Sequence, residues 1–372
     1  MATVDELAYL DATAQAELVR RREVKPIELV EAAIARIERL NPMINAVITP
    51  MYDLARAAAK GPLPEGPLTG VPYLLKDIMA AYAGVPLTAG SALLRDFVPD
   101  YDSELVIRLK RAGLIVGTTT PPEFGLPPTT EPVLFGPCHN PWDTSRTPGG
   151  SSGGAAAAVA CGMVSAAHAS DGGGSTRIPA SCCGLFGLKP TRARNPQGPE
   201  GDDLLGRIVE HAITRSVRDS AALLDATAGP DLGAPVWPPA PPRPFLEEVG
   251  ADPARLRIAF TVNAPTGVPV HPDCVEAVLD AAKLCESLGH EIVEASPDID
   301  REVMRRDFTV LYEAGCAANL DLISDRIGRP VTAEDVEPLT WAMYEWGKRF
   351  DASRYIRAAA KSIQVSRRIA RF

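Results

Sequence analysis

The chain has 372 residues, 46% hydrophobic and 23% charged, a composition that excludes wholesale disorder and a collagen-like repeat. With 38 basic against 47 acidic residues the net charge is −9, which argues against a general nucleic-acid or anionic-membrane binder. The seven cysteines (138, 161, 182, 183, 274, 285, 316) are odd in number and contain no C-x-x-C, so they form neither a disulfide framework nor a zinc site, and they suit a reducing cytoplasm.

The chain opens on MATVDELAYL, which is acidic and lacks the charged-then-apolar run of a leader. A helix is predicted from Pro26, with Ile27, Val30, Ala33, Ile34 and Ile37 at helical spacing. Ser103 caps a second helix, SELVIRLKRAG, which Gly113 ends, and LIVGTT then reads as a buried strand. The run AAAAVACGMVSAAHA is apolar but too short for a bilayer span. Residues 229–244, GPDLGAPVWPPAPPRP, carry too many prolines for a helix or central strand and are predicted to be a surface connection. RIAFTV and EIVEAS flank a helix whose face is Val275, Val278, Leu279, Ala282, Cys285 and Leu288, ended by Gly289. Strand, helix, strand implies a parallel crossover. The last stretch, DASRYIRAAAKSIQVSRRIARF, is helical to its end, which suggests a chain shortened at the C-terminus.

The unusual chemistry lies in residues 147–191, where Gly149-Gly150-Ser151-Ser152-Gly153-Gly154 and Gly172-Gly173-Gly174-Ser175 are two serine-bearing glycine clusters. Glycine runs let backbone amides converge on an anion. A phosphate loop needs Gly-Lys-Ser/Thr, and neither cluster holds a lysine. Gly149–Gly153 matches G-x-S-x-G, but the polar DTSRTP before it is no buried strand, and His139, His168, His211, His271 and His290 offer no partner. A third reading pairs the serines with Lys76, which follows the apolar stretch Gly70-Val71-Pro72-Tyr73-Leu74-Leu75. A buried lysine in its neutral form can act as a base. Taken singly, Lys76 also suits an ion pair, Ser151 a helix cap and Ser175 a turn.

Together these residues resemble the amidase-signature hydrolases. The 147–191 tract matches that family's signature and GVPYLLKD its lysine motif. DATAQAELVR, INAVITP, TTEP, NPW, RIPAS and ITRSVRDSAALLD extend the resemblance to the 6-aminohexanoate-cyclic-dimer hydrolase branch, strongly to about residue 228 and weakly after it. The resemblance implies an α/β amidase-signature fold: a mixed, twisted central sheet with helices on both faces, in one domain over residues 1–372. Its signature core would lie at about 65–228, with the strand–helix–strand unit in 245–372.

It also implies the site. Lys76 would be the base, Ser151 the bridging serine in a cis peptide, and Ser175 the nucleophile, 24 residues beyond Ser151 as in the family. Gly172, Gly173 and Gly174 would form the oxyanion hole, and Cys316 would line the substrate cleft unless it is simply a buried helix cysteine. Ser152, Asp171 and Arg177 would support the loop; Asp77 would either pair with Arg177 or bond backbone. Trp341 and Tyr344 suit a core or a cleft wall. A free lysine is neutral in only about one molecule in two thousand at pH 7, so the base needs a pKa lowered by roughly three units.

Two departures are visible. Where relatives carry G-K-T-N, this chain has Gly117-Thr118-Thr119-Thr120-Pro121-Pro122-Glu123, and Pro127 and Pro128 replace polar residues beyond it. The expected activity is hydrolysis of a small-molecule carboxamide, a cyclic or linear 6-aminohexanoate-type amide, with no cofactor and no metal. No nucleic-acid or membrane partner is expected, and a homodimer is. The alternatives are a catalytically silent, truncated relative and the glutaminase component of a tRNA amidotransferase.

Overall fold

Apolar residues at helical spacing take the chain through three helices before its first strand. The computed structural model describes residues 4–201 and 206–372, and these helices are α1 (Val4–Tyr9), α2 (Ala12–Arg20) and α3 (Pro26–Ile44). Pro26 occupies the first helical position of α3, whose buried stripe includes Val30, Ala33, Ile34 and Ile37. Next come β1 (Val47–Pro50), α4 (Tyr52–Lys60), β2 (Pro72–Lys76), α5 (Glu104–Ala112) and β3 (Leu114–Thr119). Ser103 Oγ accepts the Val106 amide to cap α5, Gly113 ends it, and LIVGTT follows as β3. The run continues with α6 (Gly153–Ala160), β4 (Ala166–Asp171), α7 (Arg177–Cys183), β5 (Phe186–Gly187), β6 (Val209–Thr214) and α8 (Val217–Thr227).

The strands form one six-stranded sheet in the order β1-β3-β2-β4-β6-β5. β2 runs parallel to β3 and β4, while β1 is antiparallel to β3, and β6 is antiparallel to β4 and β5. This is the mixed sheet that the sequence implies. Every residue of β2, β3, β4 and β6 is buried, because helices cover both faces. Successive residues alternate between two cores. Leu74, Ala167 and Ile213 join α3 and α6 on one side, and Leu75, Ala166 and Ala212 join α5 and α8 on the other.

The alanine-rich run resolves into α6, a turn and β4. Among the described residues no helix is long and apolar enough to cross a membrane. Its small side chains let α6 approach closely: a Cβ on Gly154 would come within 2.6 Å of the Thr120 amide nitrogen and 2.8 Å of the Ala46 carbonyl.

The chain divides into two compact units, Met1–Val249 with Asp335–Glu337, and Gly250–Glu334 with Pro338–Phe372. Residues 229–244 form neither helix nor strand. The second unit holds β7 (Arg257–Phe260), α9 (Pro272–Ser287), β8 (Glu291–Glu294), α10 (Arg301–Ile327), α11 (Pro338–Gly347) and α12 (Ala352–Ile369). β7 and β8 pair in parallel, the crossover expected from RIAFTV and EIVEAS. In α9, Val275, Val278, Ala282 and Cys285 are half-buried while Leu279 and Leu288 are exposed. α10 packs against α11 and α12.

Candidate active site

Lys76 is the last residue of β2, at the carboxyl end of a strand paired in parallel on both sides. Its neighbours Leu74 and Leu75 anchor opposite cores, so the strand carries the lysine inward, and its exposure is 1%. Nζ lies 2.7 Å from Ser151 Oγ and 3.0 Å from Ser170 Oγ. Among the described residues no carboxylate is within ion-pair distance of it. Burial pulls the Lys76 pKa down to about 7, against the upward pull of Glu210 and Asp171. A neutral amine is therefore well populated near neutral pH, beside a hydroxyl it can deprotonate.

Ser151 enters this site through a tight backbone path. Gly149 has a φ of +80°, a conformation that side chains disfavour, and the Gly150–Ser151 peptide is cis. Thr130 Oγ1 donates to the Gly149 carbonyl at 2.8 Å. Ser151 does not cap the following helix: the N-cap of α6 is Ser152, and it makes no side-chain cap bond. The Ser152 hydroxyl instead bridges to β4, donating to the Ser170 carbonyl and accepting the Ser170 amide, both at 3.3 Å. The segment Glu123–Gly125 closes the other side, since a Cβ on Gly125 would stand 3.2 Å from Ser151 Oγ.

Ser175 follows the glycine loop that leaves β4. The Ser152 amide donates to the Ser175 carbonyl at 3.2 Å, which sets the two serine clusters side by side. Ser175 is half-exposed, while Ser151, Ser152 and Lys76 are buried. The loop is held by Asp171, which accepts from the Gly174 amide at 2.7 Å and the Thr176 amide at 3.2 Å. Arg177 closes a two-pronged pair on the same carboxylate, Nε and Nη2 each at 2.9 Å. Burial pushes the Asp171 carboxyl up, but Arg177 and the loop amides outweigh it and hold it below the ordinary range. Gly174 thus gives its amide to the loop rather than to a ligand.

Asp77 does not pair with Arg177. It accepts from the Thr88 amide at 3.0 Å and from the Thr88 hydroxyl, and burial pushes its carboxyl up to about 7. Ser170 is absent from the sequence-based candidates although it is the second hydroxyl on Lys76. Only its place one residue before Asp171 on an all-buried strand singles it out. Among the described residues no group of three or more His, Cys, Asp or Glu side chains is placed to hold a metal ion.

Cys316 belongs to the second unit. It is 7% exposed on α10, with Sγ 3.8 Å from the Thr340 carbonyl of α11. Trp341 and Tyr344 stack with ring centroids 5.1 Å apart, and the Tyr344 hydroxyl donates to Asp321 at 3.0 Å. Both rings are half-buried.

The family model described as Amidase matches residues 28–372. The 6-aminohexanoate-cyclic-dimer hydrolase of Paenarthrobacter ureafaciens is 40% identical over 352 residues, covering 92% of this chain and 70% of that protein. A solved structure of a 6-aminohexanoate cyclic dimer hydrolase complexed with substrate superposes with a TM-score of 0.94 at 37% identity, over 98% of this chain and 77% of the other. A solved structure of a bacterial aryl acylamidase of the amidase-signature family is similar at a TM-score of 0.85 and 28% identity, over 94% of this chain and 74% of that one.

Proposed function

The chain belongs to the amidase family and is an amide hydrolase, and we propose that it cleaves a 6-aminohexanoate-type amide, cyclic or linear, through a Lys76–Ser151–Ser175 relay. The observation that carries this reading is the fully buried Lys76, 2.7 Å from Ser151 Oγ, with a pKa lowered to about 7. The likeness to the cyclic-dimer hydrolases supports the substrate class.

In this mechanism Ser175 Oγ attacks the amide carbonyl carbon, and the carbonyl π pair moves to oxygen. The Ser175 proton passes to Ser151 Oγ as the Ser151 proton passes to neutral Lys76. The amides of Gly172, Gly173 and Ser175 take the oxyanion, while that of Gly174 holds the loop through Asp171. Each oxyanion donor is worth about 3–4 kcal/mol of barrier. Collapse breaks the C–N bond, and the leaving nitrogen takes its proton from Ser151, which recovers one from Lys76. Water then repeats the sequence in reverse roles and frees the acid. The chemistry needs neither a metal nor an organic cofactor.

Within this reading Ser152, Asp171 and Arg177 position the loop. The protein acts in the cytoplasm as a homodimer, without nucleic-acid or membrane partners. The test incubates the folded chain with the 6-aminohexanoate cyclic dimer, its linear dimer and glutamine. Release of aminohexanoate products, together with a single organophosphonate adduct on Ser175, is expected. Hydrolysis of glutamine alone would favour the amidotransferase-type activity. A folded chain that takes no adduct would overturn the relay and leave a silent relative.

A further inference from the structure

β2 and β4 share a single ladder position, Leu74 with Ala167. Past it the Lys76 amide needs an acceptor from elsewhere, because a buried N–H is costly to leave unpaired. His168 of β4 supplies one: its Nδ1 accepts the Lys76 amide at 3.2 Å. An imidazole that accepts at Nδ1 carries its proton on Nε2. That Nε2 lies 3.6 Å from Glu210 Oε2 of β6, with His168 0% and Glu210 2% exposed. Among the described residues His168 Nε2 and Glu210 Oε1 have no hydrogen-bond partner. Glu210 also stands opposite Ser170 in the β4–β6 register, and Ser170 Oγ is 3.0 Å from Lys76 Nζ. One carboxylate thus faces the lysine twice, through the imidazole at its backbone and through space at its amine.

We propose that Glu210 and His168 are positioning residues, which hold the Lys76 backbone in place and set the pH range in which Lys76 serves as a base. The inference rests on the reading of Lys76 as the relay base. Such a base must be neutral at rest yet able to keep a proton during attack. Complete burial drives a lysine towards the neutral form, and a nearby anion opposes this. The other charged or titratable groups around Lys76 are already committed. Asp171 is paired with Arg177, and Asp77 is turned to Thr88. His211 bonds the Ser220 hydroxyl at 2.7 Å, and burial holds its pKa down to about 3. Burial, with the charge of Glu210, raises the Tyr73 phenol well above its ordinary range. Glu210 is therefore the carboxylate that meets Lys76 both through His168 at its backbone and across the β4–β6 register from Ser170 at its amine.

The test follows the rate of Ser175 modification by an organophosphonate as a function of pH, which reads the relay without a choice of substrate. In the wild type the rate should rise through a midpoint set by Lys76. Glu210→Gln should move that midpoint to lower pH by about one unit, and Glu210→Asp should leave it within a few tenths. A wild-type profile flat from about pH 5 to 10 would defeat the relay itself. A clear wild-type midpoint that Glu210→Gln does not move would defeat this inference alone. Should Glu210→Gln not fold, His168 carries the test. His168→Gln keeps an acceptor for the Lys76 amide and should label within about tenfold of wild type. His168→Leu has none and should label at least about tenfold more slowly, with its circular dichroism unchanged. Wild-type labelling by His168→Leu would overturn the positioning role.

Discussion

The parallel-paired strand β2 and the parallel pair β7–β8 end in different surroundings. β2 lies inside a six-stranded sheet with helices on both faces, and all five of its residues are buried. β7 and β8 make a two-stranded sheet with no buried residue in either strand. Lysine shows the consequence. Lys76 is 1% exposed, beside two serine hydroxyls. The Lys283 side chain, on α9, is 74% exposed and reaches Asp280 at 3.4 Å. A two-stranded sheet cannot withdraw a side chain from water, whereas a covered central strand can. The number of layers around a strand, more than its motif, decides whether a lysine is withdrawn from water.

The largest effects should come from the buried lysine and the serine it serves. Ser175→Ala and Lys76→Ala should each lower turnover at least about a thousandfold, and the double variant should lose little more, since the relay acts as a unit. Wild-type turnover surviving either change would sink the relay. Packing comes next. Leu74→Ala should cost about 2–5 kcal/mol in denaturant unfolding, and Leu288→Ala, on the exposed side of the crossover, under about 0.5 kcal/mol. Equal costs would erase the contrast.

A third, smaller effect is a pH dependence of stability. The Lys76 pKa falls from 10.5 to about 7 on folding, so between these values the unfolded chain holds the proton and the native chain does not. Native stability should therefore rise with pH across that window. Relative to wild type, Lys76→Met should be more stable by about 4–5 kcal/mol at pH 6, a gap that narrows by about 4 kcal/mol towards pH 10. A constant gap from thermal melts across pH 6–10 would mean that Lys76 is not desolvated. The smallest effect belongs to Lys283→Ala, which should change stability by less than about 0.5 kcal/mol at any salt concentration.

Much of this protein was legible one residue at a time. The stripe of α3, the Ser103 cap and the Gly113 stop are local preferences of single residues. The parallel pairing of β7 and β8 follows from a strand–helix–strand pattern. Lys76, Ser151 and Ser175 stand out because the glycine clusters and GVPYLLKD resemble the signature and the lysine motif of the amidase family.

The remainder depended on contacts between residues far apart in sequence. Ser170, His168 and Glu210 carry no motif and become visible only when β2, β4 and β6 lie side by side. His168, without a partner along the chain, meets Lys76 92 residues away. Asp77 had two candidate partners, and the fold chose Thr88. The sequence by itself determined which residues can do chemistry, because residue type and local backbone preference are written in it directly. The tertiary structure alone decided which of them are dry: burial is a property of the assembled layers, and it brings the Lys76 amine near neutrality.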